Sequence, residues 1–243
     1  MAEQYIAGRQ PLLEALKSRQ PIDQILILHG TAGAQIQQIK QLAREQRIAV
    51  KEADKDRFRE LSGDTVTQGV LALVNDYRYV EIEDLLALAQ RKNEKPFLLV
   101  LDEIEDPHNL GALVRTAECA GVHGVIIPKH HAASVNQTVV KTSAGAAAYM
   151  PIARVTNIAQ TLDELKKANV WIVGTDIQAK KKYYEHDYSG AVAIVIGSEG
   201  GGMRRLVKEK CDFLVSIPMH GKIESLNASV AGGLVLFEAA KLR

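Results

Sequence analysis

The sequence contains few cysteines and has little net charge, and these features exclude several classes of protein. Its 243 residues include only two cysteines, Cys119 and Cys211, which are far apart and lack the spacing of metal ligands. We therefore expect free thiols rather than a disulfide framework or a metal site. The formal net charge is only +1 at pH 7, so a nucleic-acid partner would have to bind local basic clusters rather than a uniformly basic surface.

Long hydrophobic runs are also missing. No uncharged apolar run reaches the roughly 18 residues of a membrane span, and the first residues lack a charged region followed by an apolar one. We therefore expect a cytoplasmic protein with no membrane partner. Hydrophobic residues make up 47% of the chain and charged residues 24%, a composition typical of a soluble globular protein with a substantial core.

Alternating helical and strand patterns predict two α/β domains. Residues 1–75 are predicted to form a small α/β unit. Residues 76–95 are predicted to be a linker, because a short amphipathic helix there is followed by a charged break. Residues 96–243 predict a parallel α/β sheet. Its first strand, 97–101, is apolar throughout, as expected for a parallel strand covered on both faces. The further strand candidates are residues 124–127, 152–155, 170–174, 191–196 and 214–217.

Two of these predicted strands end in glycine-containing loops that lead into helices, which is where open α/β sheets bind ligands. The first loop, 197–202, carries Glu199 among four glycines. A tight turn would explain the glycines but not the carboxylate. The loop is not a P-loop, since no Gly-Lys-Ser/Thr follows. A nicotinamide site is disfavoured, because Ile217 stands about where the required acid should be.

Polar residues at two helix starts have two possible roles each. Ser225, Asn227 and Ser229 precede or open the last predicted helix, and any one of them would serve as an N-cap. Three such residues so close together favour polar groups that face a ligand. Asn109 could likewise be a helix cap or part of a site. Arg115 interrupts an apolar helix face, so we expect a structural ion pair or an anionic substrate as its partner.

Three sequence segments together resemble the motifs of the SpoU/TrmH family of RNA ribose 2′-O-methyltransferases. They are residues 109–117, residues 196–200, and residues 217–219 followed by 225–229, and their order and spacing also fit. The resemblance covers residues 97–243. Near the start of the chain, residues 5–16 and 68–70 resemble the substrate-binding domain of the RlmB-like branch of this family. That branch methylates a guanosine in 23S ribosomal RNA.

The resemblance implies a fold, a cofactor and a site. The C-terminal domain is expected to be an α/β trefoil knot of the SPOUT type, an exception to the rule that chains do not thread loops. S-adenosylmethionine is expected in the knot, with no metal, and the enzyme is expected to be a homodimer that binds RNA. The cofactor contacts implied are Gly197, Ile217 and Leu226, with Gly174 and Thr175 as neighbours. The residues at catalytic positions are Asn109, Arg115, Glu199, Ser225 and Asn227.

The resemblance assigns Arg115 to activation of the ribose hydroxyl. A guanidinium stays protonated in proteins, so we expect Arg115 instead to grip the adjacent phosphate and stabilise developing negative charge. Glu199 would hold Arg115 or the ribose, while Asn109 and Asn227 would fix the geometry.

Two alternative functions stay open on the sequence alone. One is the same reaction on transfer RNA or on another ribosomal site. The other is a non-catalytic RNA-binding protein of ribosome assembly that keeps the fold.

Overall fold

The computed structural model describes residues 4–18, 22–62, 65–74 and 77–243, apart from the side chains of Gln4, Arg57 and Gln137. The chain forms two compact units, Met1–Tyr77 and Arg78–Arg243. Asn75 and Asp76, where we expected the first domain to end, lie outside the described residues.

The first unit is a four-stranded sheet with helices on both faces. Its strand order is β1-β4-β2-β3, and only β2 and β3 pair in parallel. Alternate residues of β2 point to opposite faces. Ile25 and Ile27 therefore pack with α1 and α2, and Leu26 packs with Phe58 of α3. The elements are β1 (Gln4–Ala7), α1 (Arg9–Lys17), β2 (Ile22–Leu28), α2 (Ala34–Glu45), β3 (Ala49–Ala53), α3 (Lys55–Ser62) and β4 (Val70–Val74).

The second unit is built on a seven-stranded sheet in the order β7-β6-β5-β10-β8-β11-β9, and its strands pair in parallel. Three central strands, β5, β6 and β10, are buried at every position. The predicted parallel sheet is thus confirmed. The strands are β5 (Phe97–Leu101), β6 (Gly124–Pro128), β7 (Ile152–Val155), β8 (Trp171–Thr175), β9 (Lys181–Lys182), β10 (Val192–Ile196) and β11 (Phe213–Ser216).

Within the described residues the second unit also contains six α-helices and two 3-10 turns, Ala146–Ala148 and Tyr183–Glu185. The C-terminal helix packs against the helix that follows β5. A Cβ atom added at Gly232 would lie only 2.4 Å from the Leu113 side chain. The glycine therefore permits this close approach. The helices are α4 (Ile82–Arg91), α5 (Pro107–Cys119), α6 (Gln137–Thr142), α7 (Ile158–Lys167), α8 (Arg205–Lys210) and α9 (Ala228–Ala240).

The structure differs from the expected linker over residues 76–95. Half of that segment is helix α4, in which Ile82, Leu85 and Ala89 are buried, and Ile82 and Leu85 belong to the core of the second unit. A Cβ atom at Gly124 would lie only 2.4 Å from Leu85, so β6 and α4 are in close contact. The charged residues after α4 suggested a domain boundary. The apolar face of α4 is nevertheless buried, so this helix is part of the second unit.

The strand order brings distant loops to one edge of the sheet. Strand β10 lies between β5 and β8, and β11 lies on the other side of β8. Because these strands are parallel, their carboxyl ends meet at the same edge, together with the start of α9. The trefoil knot itself stays a prediction of the resemblance.

Candidate active site

A carboxylate and two amides from three separate segments meet at this edge. Glu199 Oε1 accepts a hydrogen bond of 2.8 Å from Asn109 Nδ2 and a short one from Asn227 Nδ2. It also lies 3.4 Å from the backbone nitrogen of Ala228. Asn227 Nδ2 donates in addition to Asn109 Oδ1 at 2.8 Å. The three side chains form one network, although 90 residues separate Asn109 from Glu199.

Asn109 is available for this network because another residue caps its helix. Asp106 is the N-cap of α5, and its carboxylate accepts a hydrogen bond from the backbone N–H of His108 at 2.8 Å. Pro107 occupies the first turn, where a missing N–H costs nothing. Asn109 therefore lies inside the helix, and its amide points to Glu199 instead of capping.

Asn227 has both of the roles considered for it. Its Oδ1 atom accepts hydrogen bonds from the backbone of Ser229 at 2.9 Å and of Val230 at 3.3 Å, so it is the N-cap of α9. Its Nδ2 atom points the other way, to Asn109 and Glu199. Capping fixes the side chain, and the free end of the amide is thereby oriented toward the carboxylate.

A pocket of about 440 Å³ adjoins the network, a volume typical of small-molecule sites. Four of the five residues expected to bind the cofactor line it: Thr175, Gly197, Ile217 and Leu226. Gly174, the fifth, is buried beside the pocket, where an added Cβ would lie 2.7 Å from the sulfur of Cys211. Glu199 and the exposed Ser225 also line the pocket, so the network and the pocket form one site.

Arg115 lies on α5 outside the network. Its side chain is exposed, and in the described part of the chain it has no hydrogen-bond or ion-pair partner. The structure therefore shows neither the structural ion pair nor the contact with Glu199 that we considered. An exposed guanidinium six residues after Asn109 remains available to an anionic ligand.

The pocket also contains an ion pair that the sequence patterns did not indicate. Lys208 Nζ lies 2.5 Å from Asp176 Oδ2, and both residues line the pocket. Asp176 directly follows β8, so the rule that strand ends carry ligand-binding groups could have found it. Lys208 lies on the short helix α8, and no sequence signal separates it from the other surface lysines.

Both cysteines are free, as expected. Burial raises the pKa of Cys211 to about 12, so this thiol stays protonated at neutral pH. The described residues contain no group of three or more His, Cys, Asp or Glu side chains that could hold a metal ion. None of the helices over the described ranges has the length and hydrophobicity of a membrane span.

The fold and the site define a class of protein. It is an α/β enzyme that binds a small molecule at the carboxyl ends of parallel strands, next to polar groups that can orient a second reactant. The chain belongs to the SpoU/TrmH family of RNA methyltransferases: residues 96–237 match the SpoU rRNA Methylase family. Residues 5–80 match the family's RNA 2′-O ribose methyltransferase substrate-binding domain. The resemblance drawn from the motifs is confirmed.

Individual relatives agree with this assignment over nearly the whole chain. The putative TrmH family tRNA/rRNA methyltransferase YacO of Bacillus subtilis is 46% identical over 242 residues, which are 98% of this chain and 96% of YacO. The SpoU methyltransferase AviRb from Streptomyces viridochromogenes aligns with 99% of this chain and 90% of its own, at 27% identity and a TM-score of 0.62. AviRb in complex with the cofactor AdoMet gives the same TM-score at 24% identity, covering 98% and 90% of the two chains.

Proposed function

We propose that this protein transfers the methyl group of S-adenosylmethionine to the ribose 2′-hydroxyl of a guanosine in 23S ribosomal RNA. The observation that carries the proposal is the network of Glu199 with Asn109 and Asn227 at the edge of the pocket. It places polar groups that can orient a hydroxyl beside a cavity of suitable size for the cofactor. The match to the family's substrate-binding domain supports RNA as the partner.

The residues around the pocket fit this cofactor chemically. Ile217 and Leu226 offer apolar surface to an adenine ring, while Glu199 places a carboxylate at the pocket wall, where it can stabilise a cationic ligand. When bound, S-adenosylmethionine supplies an electrophilic methyl group on a positively charged sulfur. We assign Thr175, Gly197, Ile217 and Leu226 to holding it, and Gly174 to packing behind them.

The protein's own part in the reaction is orientation and charge stabilisation. The amides of Asn109 and Asn227 both donate to Glu199, so they present a fixed surface to the ribose. Arg115 binds the phosphate next to the reactive ribose and stabilises the negative charge that develops on the 2′-oxygen. Because Arg115 stays protonated, it is not the base, and the hydroxyl proton goes to the phosphate or to a neighbouring group. Ser225 hydrogen-bonds the ribose from the loop before α9.

The role of Arg115 can be tested by single-turnover methyl transfer on RNA. Arg115→Ala should lower the rate by about 100-fold, and Arg115→Lys by less, because a lysine keeps the charge without the planar fork of donors. Arg205→Ala is a matched control, since Arg205 is exposed and pairs with Glu209 within α8. A near wild-type rate for Arg115→Ala would contradict the assignment.

We also propose that the enzyme works as a homodimer. Helix α9 leaves Val230, Leu234 and Phe237 exposed by 51%, 39% and 50%. These residues recur at intervals of four and three, so they form one apolar stripe on the helix. A second copy of the chain that covers this stripe would lie next to the start of α9, and hence next to Asn227.

Transfer RNA is the second candidate substrate, because the Bacillus subtilis relative is named as a putative tRNA/rRNA methyltransferase. Mapping 2′-O-methyl groups in both RNA classes distinguishes the two. A strain without the gene should lose one 23S guanosine methylation, and the wild-type gene, but not Glu199→Gln, should restore it. Loss of a tRNA methylation instead would overturn the ribosomal assignment.

Calorimetry with S-adenosylmethionine separates an enzyme from a non-catalytic RNA-binding protein, which need not bind it.

A further inference from the structure

The residues on either side of the glycine loop, Ile196 and Arg204, both hydrogen-bond to Asp102, which directly follows β5. Where the loop begins, the backbone N–H of Asp102 donates to the carbonyl of Ile196 at 2.9 Å. Where the loop ends, the Asp102 carboxylate accepts three hydrogen bonds from Arg204. They come from the backbone nitrogen at 2.8 Å, from Nε at 2.9 Å and from Nη2 at 2.6 Å.

The hydrogen-bonded ion pair between Asp102 and Arg204 is a strong interaction. The Asp102 side chain is fully buried, and a buried carboxylate is tolerated only when paired and hydrogen-bonded. Arg204 supplies that pairing through both carboxylate oxygens: its guanidinium donates twice to Oδ1 and its backbone N–H donates to Oδ2, so the position of the carboxylate is fixed at both atoms. Glu103, the next residue, has a positive φ of 60° and brings its carboxylate to 3.7 Å from Arg204 Nε. A non-glycine residue in this region of backbone space is strained, so the surrounding contacts hold it there.

Between its two ends the loop has little freedom. Ser198 and Gly202 exchange backbone hydrogen bonds of 3.0 and 2.9 Å. A side chain at Gly197 would come within 2.2 Å of the Gly202 backbone, so the neck of the loop is closed. Glu199 lies within this turn and projects to Asn109 and Asn227. Its position relative to β5 and α5 therefore depends on where Asp102 holds the loop.

We propose that Asp102 and Arg204 are positioning residues that hold Glu199 in register with Asn109 and Asn227. Neither residue lines the pocket, so both act through Glu199 rather than on a ligand. The inference rests on the proposed function of Glu199. Misplacement of a catalytic group by about 1 Å can cost about 100-fold in rate, so the loss of this ion pair should be visible in the chemical step.

The first test compares two neighbouring arginines in the full-length protein. Arg204→Ala should lower kcat at saturating cofactor by about tenfold with little change in the KM for RNA, because it disturbs orientation rather than binding. Arg205→Ala should leave both constants within about twofold of wild type, since Arg205 is 79% exposed and outside this ion pair. Equal effects of the two substitutions, or an effect on KM alone, would overturn the proposal.

Arg204→Ala also leaves the buried Asp102 carboxylate unpaired, so the thermal unfolding midpoint is measured for every variant and assays are run well below it. Arg204→Lys keeps a cation beside Asp102 and provides a second test should the alanine variant fail to fold. A lysine cannot supply the two side-chain donors in fork geometry. Its kcat is therefore expected between those of the alanine variant and wild type. A kcat of Arg204→Lys equal to wild type would contradict the proposal.

A double-substitution cycle decides whether Arg204 acts through Glu199. In the Glu199→Gln background, Arg204→Ala should change the rate by less than about twofold, because there is no carboxylate left to position. Full additivity would overturn the proposal. The cycle also separates this inference from the proposed function. A wild-type rate for Glu199→Gln contradicts the proposed function, whereas a slow Glu199→Gln with a wild-type Arg204→Ala contradicts only the positioning role.

Discussion

The two units of the chain each contain a polar cluster that joins distant segments, but the clusters differ in what they join. In the first unit, the Arg9 backbone nitrogen donates to Gln68 Oε1 and Arg9 Nε donates to the Gln68 carbonyl, both at 3.0 Å. Each of these bonds involves the main chain, so they fasten the start of α1 to the turn before β4. In the second unit, Asn109, Glu199 and Asn227 bond through their side chains beside a pocket.

The difference follows from sheet topology. In the first sheet β4 runs antiparallel to both of its neighbours, so the turn that precedes β4 lies at the edge where β1 ends, next to the start of α1. In the second sheet the strands are parallel, so a crossover after each strand returns the chain to the edge where strands begin. Every strand therefore ends at the opposite edge. Several strand ends therefore meet there, and their polar side chains can converge on a ligand. The polar groups that meet in the second unit are therefore side chains beside a pocket, whereas those that meet in the first unit join a helix start to a turn through the main chain.

The largest expected difference between the clusters is in catalysis. Glu199→Gln should lower the single-turnover rate by about 100-fold, because it removes the charge that orients both amides. Gln68→Ala in the first unit should change that rate by less than about twofold at saturating RNA, since its contacts fasten the backbone. Methyl transfer measured with labelled cofactor checks both variants. Comparable losses would remove the distinction between the two clusters.

The two units should also differ in the ligand that each one binds, RNA or S-adenosylmethionine. Deletion of residues 1–77 should weaken RNA affinity by about tenfold or more and leave S-adenosylmethionine affinity unchanged, since the pocket lies wholly within the second unit. Calorimetry measures the cofactor, and filter binding measures the RNA. The core of the second unit lies within the retained residues, so the fragment should fold. Unchanged RNA affinity in the fragment would show that the first unit does not locate the substrate.

A smaller effect concerns association through the second unit. Phe237→Asp puts a charge into the exposed stripe of α9 and should shift a homodimer toward monomer, as measured by sedimentation equilibrium. Glu45→Lys is a control with a charge change at the end of α2 in the first unit, and it should leave the mass unchanged. A wild-type protein that is monomeric at micromolar concentration would contradict the proposed dimer.

The smallest effect is on the pH dependence of stability. His123 is buried in the second unit, where its Nδ1 accepts from the Phe97 backbone at 3.0 Å and its Nε2 contacts Glu94 at 2.9 Å. Burial lowers the pKa of His123 below its usual value of 6.5, and the hydrogen bond to Glu94 only partly opposes this. The unfolded chain therefore binds the proton more readily. The resulting stability is full above about pH 6.5 and is lost as the pH falls toward the folded-state pKa.

Thermal unfolding of the second unit between pH 7 and 5 checks this linkage. His123→Asn keeps an acceptor for the Phe97 N–H but does not titrate, so its unfolding midpoint should fall less steeply with decreasing pH than that of wild type. His29→Asn is the matched control in the first unit, because His29 is exposed and its Nδ1 atom contacts the surface residue Glu52 at 2.9 Å. Identical slopes for wild type and His123→Asn would contradict the assignment.

Much of the second unit could be predicted from local sequence. The apolar run 97–101 became β5, and the glycine loop after β10 became part of the pocket wall. The membership of α4 could not be predicted, because its charged flank has the composition of a linker and only packing shows that Leu85 is buried. Asp176 and Lys208 were missed for a similar reason: their proximity depends on how α8 packs next to the end of β8.

By itself, the sequence determined the buried strands and the residue types of the site, since hydrophobic periodicity acts over a few residues. Only the tertiary structure decided which polar residues meet. Asp106 rather than Asn109 caps α5, and Asn227 both caps α9 and reaches Glu199. Asn109 and Asn227 are 118 residues apart, yet their amides are within 2.8 Å. A hydrogen bond tolerates only a few tenths of an ångström, and the packed sheet, not the local pattern, supplies that precision.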